Sequence, residues 1–516
     1  MWYLSLQFWL ILLFALLVAL VALNWWRIVK AISAKLLIKV ATTVMTDPYG
    51  ENLLELLHAV KRNGLQSILE LSLRSERGAV INRPLGSNRK FPDFSGLMFD
   101  VAQIHVLPTE DDIPVNTAVV IGPHAAKPLR LATPIIVSGM AFGMGLSAKA
   151  KIALARGSAL AGTACNSGEG PFLQAERDNA KYYILQYNRG FWNKEPQTVR
   201  QADAIEIQLG QGALAGLSHR MLADKIDARL RRAFPIRPGQ DALVMARHRG
   251  MQHPEDIITL VAKVRDMANG VPVGIKMAAS KDLELDLELA ITAGVDFIAL
   301  SGAQAGSHGA PPSIGDTHGL PTLYALTRAA NYLEQHKLKG QVSLISSGGY
   351  SEPGEILKAL AVGADAVYIG TAALFAISHT QVLKALPWEP PTQVAWYAGK
   401  SAEQLDVDMA AKNLANFINS ATQEMAQSTR AIGKTSFTEI SREDLFALDQ
   451  LTADIVGVPL GYTPTGKHIR KYQRAERTHS RTRASTPVAA PHRQQPQAAS
   501  AHVRFFRYVA AKKKPK

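Results

Sequence analysis

The sequence has 516 residues, of which 47% are hydrophobic and 19% are charged, so the chain can bury a large core and is not globally disordered. Its single cysteine, Cys165, excludes an internal disulfide and any zinc or iron–sulfur centre held by cysteines of this chain alone. The net charge of +14 lies almost entirely after Gly466, where 14 lysines and arginines face one acid, Glu476. The charge therefore belongs to a tail and not to a basic domain surface, and we expect no nucleic-acid partner.

Residues 1–26 form an apolar segment with no charged side chain before Arg27. The stretch from Tyr3 to Asn24 would be ~33 Å long as a helix, enough to cross the hydrocarbon core of a bilayer. Tyr and Trp residues at both ends are typical of membrane interfaces, and the cations that follow would keep the body of the chain in the cytoplasm. The alternative, a cleaved signal peptide, requires a basic start and a shorter apolar core. We therefore predict a single-pass membrane anchor over residues 1–26.

Residues 27–130 predict a helical and irregular lead-in, and a regular alternation of short apolar strands with helices begins at 131. Near-continuous apolar strands between helices indicate a buried parallel sheet. Eight such units predict an α/β fold, a (β/α)8 TIM barrel over 131–375. A doubly wound open sheet is the alternative, although no GxGxxG fingerprint follows the first strand. The predicted strands end near positions 139, 166, 187, 210, 278, 302, 348 and 370.

Beyond the barrel, residues 376–463 predict a C-terminal helical extension that packs on it, entered through the proline-rich segment PWEPPTQ. Residues 464–516 are polar, basic and rich in Ala, Pro, Gln and Ser, a composition typical of disordered segments. We expect this tail either to be solvated without a partner or to contact anionic lipid headgroups.

Small and polar residues cluster at the predicted carboxyl ends of the strands, which is where the sites of such barrels lie. Lys276 in VGIKMA is unusual in a strand buried on both faces and indicates a functional cation, with a barrel-interior lysine paired with an acid as the alternative. The glycines of SSGG (346–349) and GTA (370–372) follow the last two strands, the usual phosphate site of these barrels. A phosphate cradle beside a lysine fits FMN, although spacing alone also allows a phosphorylated sugar.

Five motifs occur in order along this region: GMAFGMGLSAKAKIALARGSALAGTACNSGEG, AIEIQLGQGA, VGIKMA, ALSGAQAGSHGAPP and SSGGYSEPGEILKALAVGADAVYIGTAAL. Together they resemble the FMN-binding synthase domain of glutamate synthases over about residues 90–375. The chain looks closest to stand-alone bacterial members with an N-terminal membrane segment. The resemblance implies an FMN-binding barrel in which reduced FMN transfers hydride to an imino acid, formed from 2-oxoglutarate and ammonia, to give glutamate.

The same resemblance implies roles for individual residues. It implies cofactor-binding roles for Gly139, Met140, Ala141, Asn166, Gln208, Lys276, Ser347, Gly348, Gly349, Gly370 and Thr371. It implies catalytic or substrate-facing roles for Glu169, Gln211 and Lys276. His308 lies in the SGAQAGSHG loop after the sixth strand. As a histidine it could be a general acid near neutral pH, and a surface residue without a catalytic role is the alternative. At Cys165, which ends the second strand, buried packing is favoured over a reactive thiol.

The sequence also departs from the family's pattern. No segment that fits a glutaminase domain precedes the barrel, and FAISHTQVLKALPWEPPTQVAWYAGK (375–400) lacks the family's cysteine cluster, so no iron–sulfur cluster is expected. Electrons would then come from a separate donor, and ammonia from solution or a partner. The family's EIKMAQGAKPGEGG reads EIQLGQGALAGLSH here, so Gln208 and Leu214 replace two lysines that help to place an anionic dicarboxylate. A different 2-oxo or imino acid is therefore an alternative substrate, and a non-catalytic flavin-binding membrane scaffold is a further alternative.

Overall fold

The computed structural model describes residues 2–464, apart from residue 53 and residues 307–308. The described residues do not include His308, the predicted general acid. They also do not include the predicted basic tail at 464–516, apart from residue 464 itself.

The described chain begins with one long helix, α1 (Trp2–Thr46), which continues past the predicted anchor at 1–26. Its segment Leu6–Thr46 is long and apolar enough to cross a membrane, and the large apolar side chains along it are exposed and not packed in a core. The predicted membrane span is thus a helix in the structure, and a signal sequence near an amino terminus would meet the same two criteria.

The rest of the lead-in includes two short helices and a strand pair. The helices are α2 (Leu54–Asn63) and α3 (Leu65–Arg77). Strands Val119–Ile121 and Leu129–Leu131 then form an antiparallel hairpin immediately before the barrel. The apolar side chains of this hairpin pack against Ile136, Ile184 and Phe297, which point into the barrel near the beginnings of its strands. The hairpin therefore covers the amino-terminal end of the barrel.

The middle of the chain forms a closed barrel of eight parallel strands, which confirms the predicted (β/α)8 fold. The strands are β1 (Ile135–Val137), β2 (Ala164–Asn166), β3 (Tyr182–Tyr187), β4 (Ala204–Gln208), β5 (Val273–Ala278), β6 (Phe297–Ser301), β7 (Ser343–Ser347) and β8 (Ala366–Ile369). Each strand pairs with its neighbours in sequence, and the barrel closes where Val367 of β8 pairs with Ile135 of β1. That closure shows that the open-sheet alternative is wrong.

The barrel strands are apolar on both faces because both faces are covered. In β4, for example, all five residues are buried. Ile205 and Ile207 belong to the outer core under the helices, whereas Ala204 belongs to the cluster inside the barrel.

Helices cover the outside of the barrel and lie in the connections between strands. The connections after β1 to β3 carry α4 (Ala148–Leu160), α5 (Gln174–Asn179) and α6 (Pro196–Val199). The longer connection after β4 carries α7 (Ala228–Ala233), α8 (Asp256–Met267) and the paired strands His219–Met221 and Ala242–Val244. The remaining connections carry α9 (Leu283–Thr292), α10 (Pro312–Thr317), α11 (Thr322–Gln335), α12 (Pro353–Val362) and, after β8, α13 (Thr371–Ser378).

The C-terminal extension combines helices with one short strand. Helix α14 (Val407–Ala431) packs closely on α4, where a Cβ on Gly157 would stand only 2.9 Å from the carbonyl oxygen of Ala411. Strand Leu445–Ala447 pairs with Leu97–Phe99 of the lead-in, and α15 (Gln450–Val456) follows. The two flanking segments are therefore joined to each other beside the barrel.

A buried lysine on α4 ties together the loops that follow β1 and β2. Lys151 Nζ donates hydrogen bonds to three backbone carbonyls, those of Met140 (2.6 Å), Asn166 (3.2 Å) and Ser167 (3.0 Å). It also forms an ion pair of 2.8 Å with Glu176 Oε1, and both side chains are almost completely buried. Because a buried ammonium is tolerated only when it is paired and hydrogen-bonded, this cluster fixes both loops relative to α4.

Replacing Lys151 with methionine should destabilise the fold by roughly 3–5 kcal/mol, because Glu176 would stay buried without its partner. Denaturant unfolding followed by circular dichroism measures the loss. Lys149→Met is the matched control, since Lys149 lies on the same helix and forms a 3.6 Å ion pair with the exposed Glu403. The control should cost less than about 1 kcal/mol. Equal losses in the two variants would contradict the role given to Lys151.

Candidate active site

A cavity opens at the carboxyl ends of the barrel strands, bounded by their loops and by Pro84 and Leu85 of the lead-in. Nine of the residues predicted from the sequence line it: Gly139, Met140, Ala141, Glu169, Gln211, Lys276, Ser347, Gly370 and Thr371. Two others, Asn166 and Gln208, are buried at the ends of β2 and β4. Gly348 and Gly349 line a neighbouring cavity. The structure thus brings most of the predicted residues to one place.

The interior of the barrel holds a fully buried carboxylate, Glu206 of β4. It accepts hydrogen bonds from three other strands: from Asn166 Nδ2 (2.8 Å), Gln186 Nε2 (2.7 Å) and the Tyr368 hydroxyl (2.6 Å). Burial, together with the charge of Glu206, raises the pKa of Tyr368 well above its usual range, so the phenol remains a donor. The carboxylate is therefore satisfied by hydrogen bonds, as a buried charge requires.

Lys276 is the cation of this interior layer. Its side chain is 3% exposed, and its Nζ lies 3.9 Å from Glu206 Oε1 and 5.1 Å from the ring centroid of Tyr368. The distance to Glu206 is too long for a hydrogen bond. Since Lys276 also lines the cavity, its ammonium group is held by charge while its N–H donors remain available to a ligand.

Glu169, in the loop after β2, is held between two side chains from β4 and the connection after it. Gln208 Nε2 donates to Glu169 Oε2 at 2.8 Å, and His219 Nε2 lies 3.1 Å from Glu169 Oε1. Within the described part of the chain, Gln208 Oε1 and His219 Nδ1 are buried without a hydrogen-bond partner. Both Glu169 and His219 line the cavity.

Charge holds this pair ionised. Burial alone would raise the pKa of Glu169, but His219, Gln208 and the positive charge of Arg189 outweigh it and lower the pKa to about 2. Burial alone would lower the pKa of His219, and the carboxylate of Glu169 outweighs that effect and raises it. Each member of the pair therefore favours the charged form of the other.

The ends of β7 and β8 form the wall where the sequence predicts a phosphate. Gly370 directly precedes α13, whose first backbone N–H groups have no acceptor within the helix and favour an anion. No atom lies within 4 Å of the position that a Cβ on Gly370 would take, so the space beside these amides is open. At Gly348, by contrast, φ is +132° and a Cβ would stand 2.4 Å from Thr322 Oγ1, so only glycine fits.

These features fit a flavin mononucleotide. Ser301 Oγ lines the cavity and has no hydrogen-bond partner among residues 2–464 as described. Lys276, Ser301 and the amides of α13 are donors, which is what the ring oxygens and phosphate of such a cofactor need.

Sequence reasoning missed four residues of this site: Gln186, Glu206, His219 and Tyr368. Gln186 and Glu206 lie on inward-facing positions of otherwise apolar strands, and that contrast was a readable signal. His219, in the long connection after β4, is the last residue of EIQLGQGALAGLSH, where it stands in place of a glycine of the family's pattern, and that replacement was a readable signal.

The fold and the cavity define a class of protein, a TIM barrel with a site for a phosphorylated flavin at the carboxyl ends of its strands. Residues 94–435 match the conserved region in glutamate synthase. The chain belongs to the glutamate synthase family, and it is a flavin-dependent oxidoreductase that acts on CH–NH2 donors. That assignment is not compatible with the non-catalytic scaffold considered from the sequence.

Individual relatives agree with the family. A glutamate synthase large subunit-like protein from Rhizobium meliloti is 32% identical over 420 residues, 77% of this chain and 94% of the relative. An archaeal NADPH glutamate synthase from Archaeoglobus fulgidus is 29% identical over 339 residues, 64% of this chain and 65% of the relative, so the match spans about two thirds of that protein. Among solved structures, a mutant flavocytochrome b2 with benzoylformate is 16% identical with a TM-score of 0.44, covering 79% and 84% of the two chains.

Glu169→Gln should lower the pKa of His219, because the carboxylate would no longer offset the burial of the ring. Only a neutral ring reacts with diethyl pyrocarbonate, so modification of His219 should begin at higher pH in the native protein than in the variant. Mass spectrometry of the peptide that carries His219 measures this onset. The exposed His253 is the internal control and should give one profile in both proteins. An unchanged onset at His219 would argue against the ion pair.

Proposed function

We propose that this chain is an FMN-dependent enzyme that reduces the imino acid formed from 2-oxoglutarate and ammonia, giving glutamate. The observation that carries the proposal is one cavity in which Lys276, the Glu169–His219 pair and the turn at Gly370 meet. Membership of the glutamate synthase family and the similarity to an archaeal NADPH glutamate synthase support it.

In this proposal FMN is bound through its phosphate and its ring. Ser347, Gly370 and Thr371 would hold the phosphate beside the start of α13. Gly139 and its two successors would line the ring, and Lys276 would meet the ring edge that becomes negative on reduction. When bound, the cofactor supplies the hydride that reduces the imino carbon. Glu206 would act only by orienting Lys276 from within the barrel.

The charges around the cavity match a cationic imine flanked by carboxylates. Glu169 is ionised and would stabilise an ammonium or iminium nitrogen. His219, whose pKa the carboxylate of Glu169 raises, would in its protonated form pair with a substrate carboxylate. Gln211 lies on the same wall, where its amide is suited to a neutral hydrogen bond with the substrate.

A second candidate function keeps the flavin and changes the substrate. Gln208 donates its amide N–H to Glu169, and Leu214 is buried against Ala310. Both side chains are uncharged, so neither supplies the positive charge of the lysine that it replaces. If His219 does not take over that task, the cavity would favour a 2-oxo or imino acid with one carboxylate.

Electrons and ammonia would reach this site from elsewhere. Because the chain has one cysteine, no iron–sulfur relay of its own cysteines would feed the flavin, and a separate donor would reduce it. Ammonia would come from solution or from a separate source. Helix α1 would anchor the protein in a membrane by a single span, with the barrel on the cytoplasmic side.

Purified protein should be yellow, and 2-oxoglutarate plus ammonium should reoxidise its photoreduced flavin under anaerobic conditions. Lys276→Gln should slow reoxidation by roughly 10²–10³-fold, as expected for the loss of a preorganised charge. Lys281→Gln is the matched control, because Lys281 follows the same strand but is exposed and outside the cavity. No reoxidation by the native protein, with reoxidation by a 2-oxo acid of one carboxylate, would select the second candidate function.

Gly370→Val should weaken FMN binding by at least about tenfold, because the added side chain would fill the open space beside the α13 amides. Titration of the apoprotein with FMN, followed by flavin fluorescence, measures the dissociation constant. Gly354→Val on α12 is the control, since a side chain there also meets no atom within 4 Å and lines no part of the cavity. Equal affinities in the two variants would place the phosphate elsewhere.

A further inference from the structure

Helix α3 contacts the body of the protein through its polar face. Glu70 is buried there and accepts hydrogen bonds from Arg83 Nε (2.6 Å) and Gln66 Nε2 (2.8 Å). Arg83 in turn donates to Asp316 on α10 at 2.6 Å. These bonds join α3 to a helix of the barrel and fix which side of α3 faces outward.

The apolar face of the same helix points away from the protein. Leu65, Leu69 and Leu73 recur every four residues and are 58%, 54% and 41% exposed. An amphipathic helix of a water-soluble protein packs the other way, with its apolar stripe toward the core. In α3 the polar face contacts the protein and the leucines are exposed, so an apolar environment outside the protein core is needed to cover the leucines.

Helix α2, which directly precedes α3 in the chain, also has apolar side chains at its surface. Leu54, Leu56 and Leu57 are exposed on it, although they are large and apolar. Exposed cations accompany them, Lys61 and Arg62 on α2 and Arg77 on α3, whereas Arg74 lies 3.6 Å from Glu70 on the polar face of α3. An exposed apolar face flanked by lysines and arginines is typical of helices that lie in the headgroup region of a membrane.

The position of these helices in the chain indicates which apolar phase covers them. Residues 47–53 alone separate α2 from the end of α1, the helix long enough to span a bilayer. We propose that α2 and α3 lie flat on an anionic phospholipid bilayer, with Leu65, Leu69 and Leu73 in its acyl boundary and their cations among the headgroups. This second contact goes beyond a single membrane span and rests on α1 being in the same membrane.

The contact has a consequence for the flavin cavity. Arg83, which is bonded to α3, is followed directly by Pro84 and Leu85 on the cavity wall. A bilayer under α3 would therefore lie beside the mouth of the barrel.

Fluorescent labelling tests the proposal on the full chain. Cys165 is buried, so a maleimide dye attaches selectively to an introduced cysteine. Leu69→Cys places the environment-sensitive dye NBD on the apolar face, and Ser67→Cys places it on the far side of the same helix. A third variant, Leu13→Cys, reports whether α1 is inserted. Each labelled protein is reconstituted in vesicles of equal parts phosphatidylcholine and phosphatidylglycerol, with lipids spin-labelled near the top of the acyl chain.

The proposal expects blue-shifted emission at Leu69→Cys and at least about twofold more quenching by the spin-labelled lipid than at Ser67→Cys. Equal, water-like emission at both positions would overturn it. A blue shift at Leu69→Cys without lipid quenching, accompanied by disulfide cross-linking of unlabelled Leu69→Cys chains, would also overturn it by showing that a second copy covers the face. Failure of Leu13→Cys to report an apolar environment would count against α1 as a span, and flavin reoxidation in the same samples keeps the outcome separate from the proposed reaction.

Discussion

The site depends first on the buried carboxylate of Glu206. A buried charge inside the barrel is tolerated only when hydrogen bonds and an opposite charge satisfy it. The carboxylate of Glu206 therefore determines how the neighbouring side chains are oriented. Asn166, Gln186 and Tyr368 turn inward from three strands to donate to it, and Lys276 faces it from a fourth. Gln186 and Lys276, the two members of this network that line the cavity, are therefore positioned by strands of the barrel, which keeps their geometry precise.

Around this interior layer the loops have their own supports. Lys151 holds the carbonyls at the start of two loops, and one of those loops carries Glu169. Glu169 is in turn fixed by Gln208 and His219. These bonds form a second network at the cavity wall, separate from the one around Glu206. Lys276 of the first network and the Glu169–His219 pair of the second bring charges of both signs to one cavity, which suits a substrate that has both signs of charge.

The sequence predicts the barrel well because each strand is a local apolar run that ends in small residues, and eight of them in series allow few other folds. Strand Leu97–Phe99 had no such signal, since its partner Leu445–Ala447 lies far away in sequence. The length of α1 was also missed, because the cations from Arg27 onward interrupt the apolar run without ending the helix. In the site, glycine turns and Lys276 stand out in the sequence, whereas His219 gains its meaning only when folding places Glu169 beside it. His308 stays a prediction.

The hairpin that covers the amino-terminal end of the barrel bears on the order of events during turnover. Its apolar side chains and the inward layer of Ile136, Ile184 and Phe297 fill that end, and the network of Glu206 lies beyond them. Under the proposed function, a small molecule that donates hydride to the flavin and one that accepts it would both enter through the mouth at the other end. Donor and acceptor would then occupy the cavity by turns.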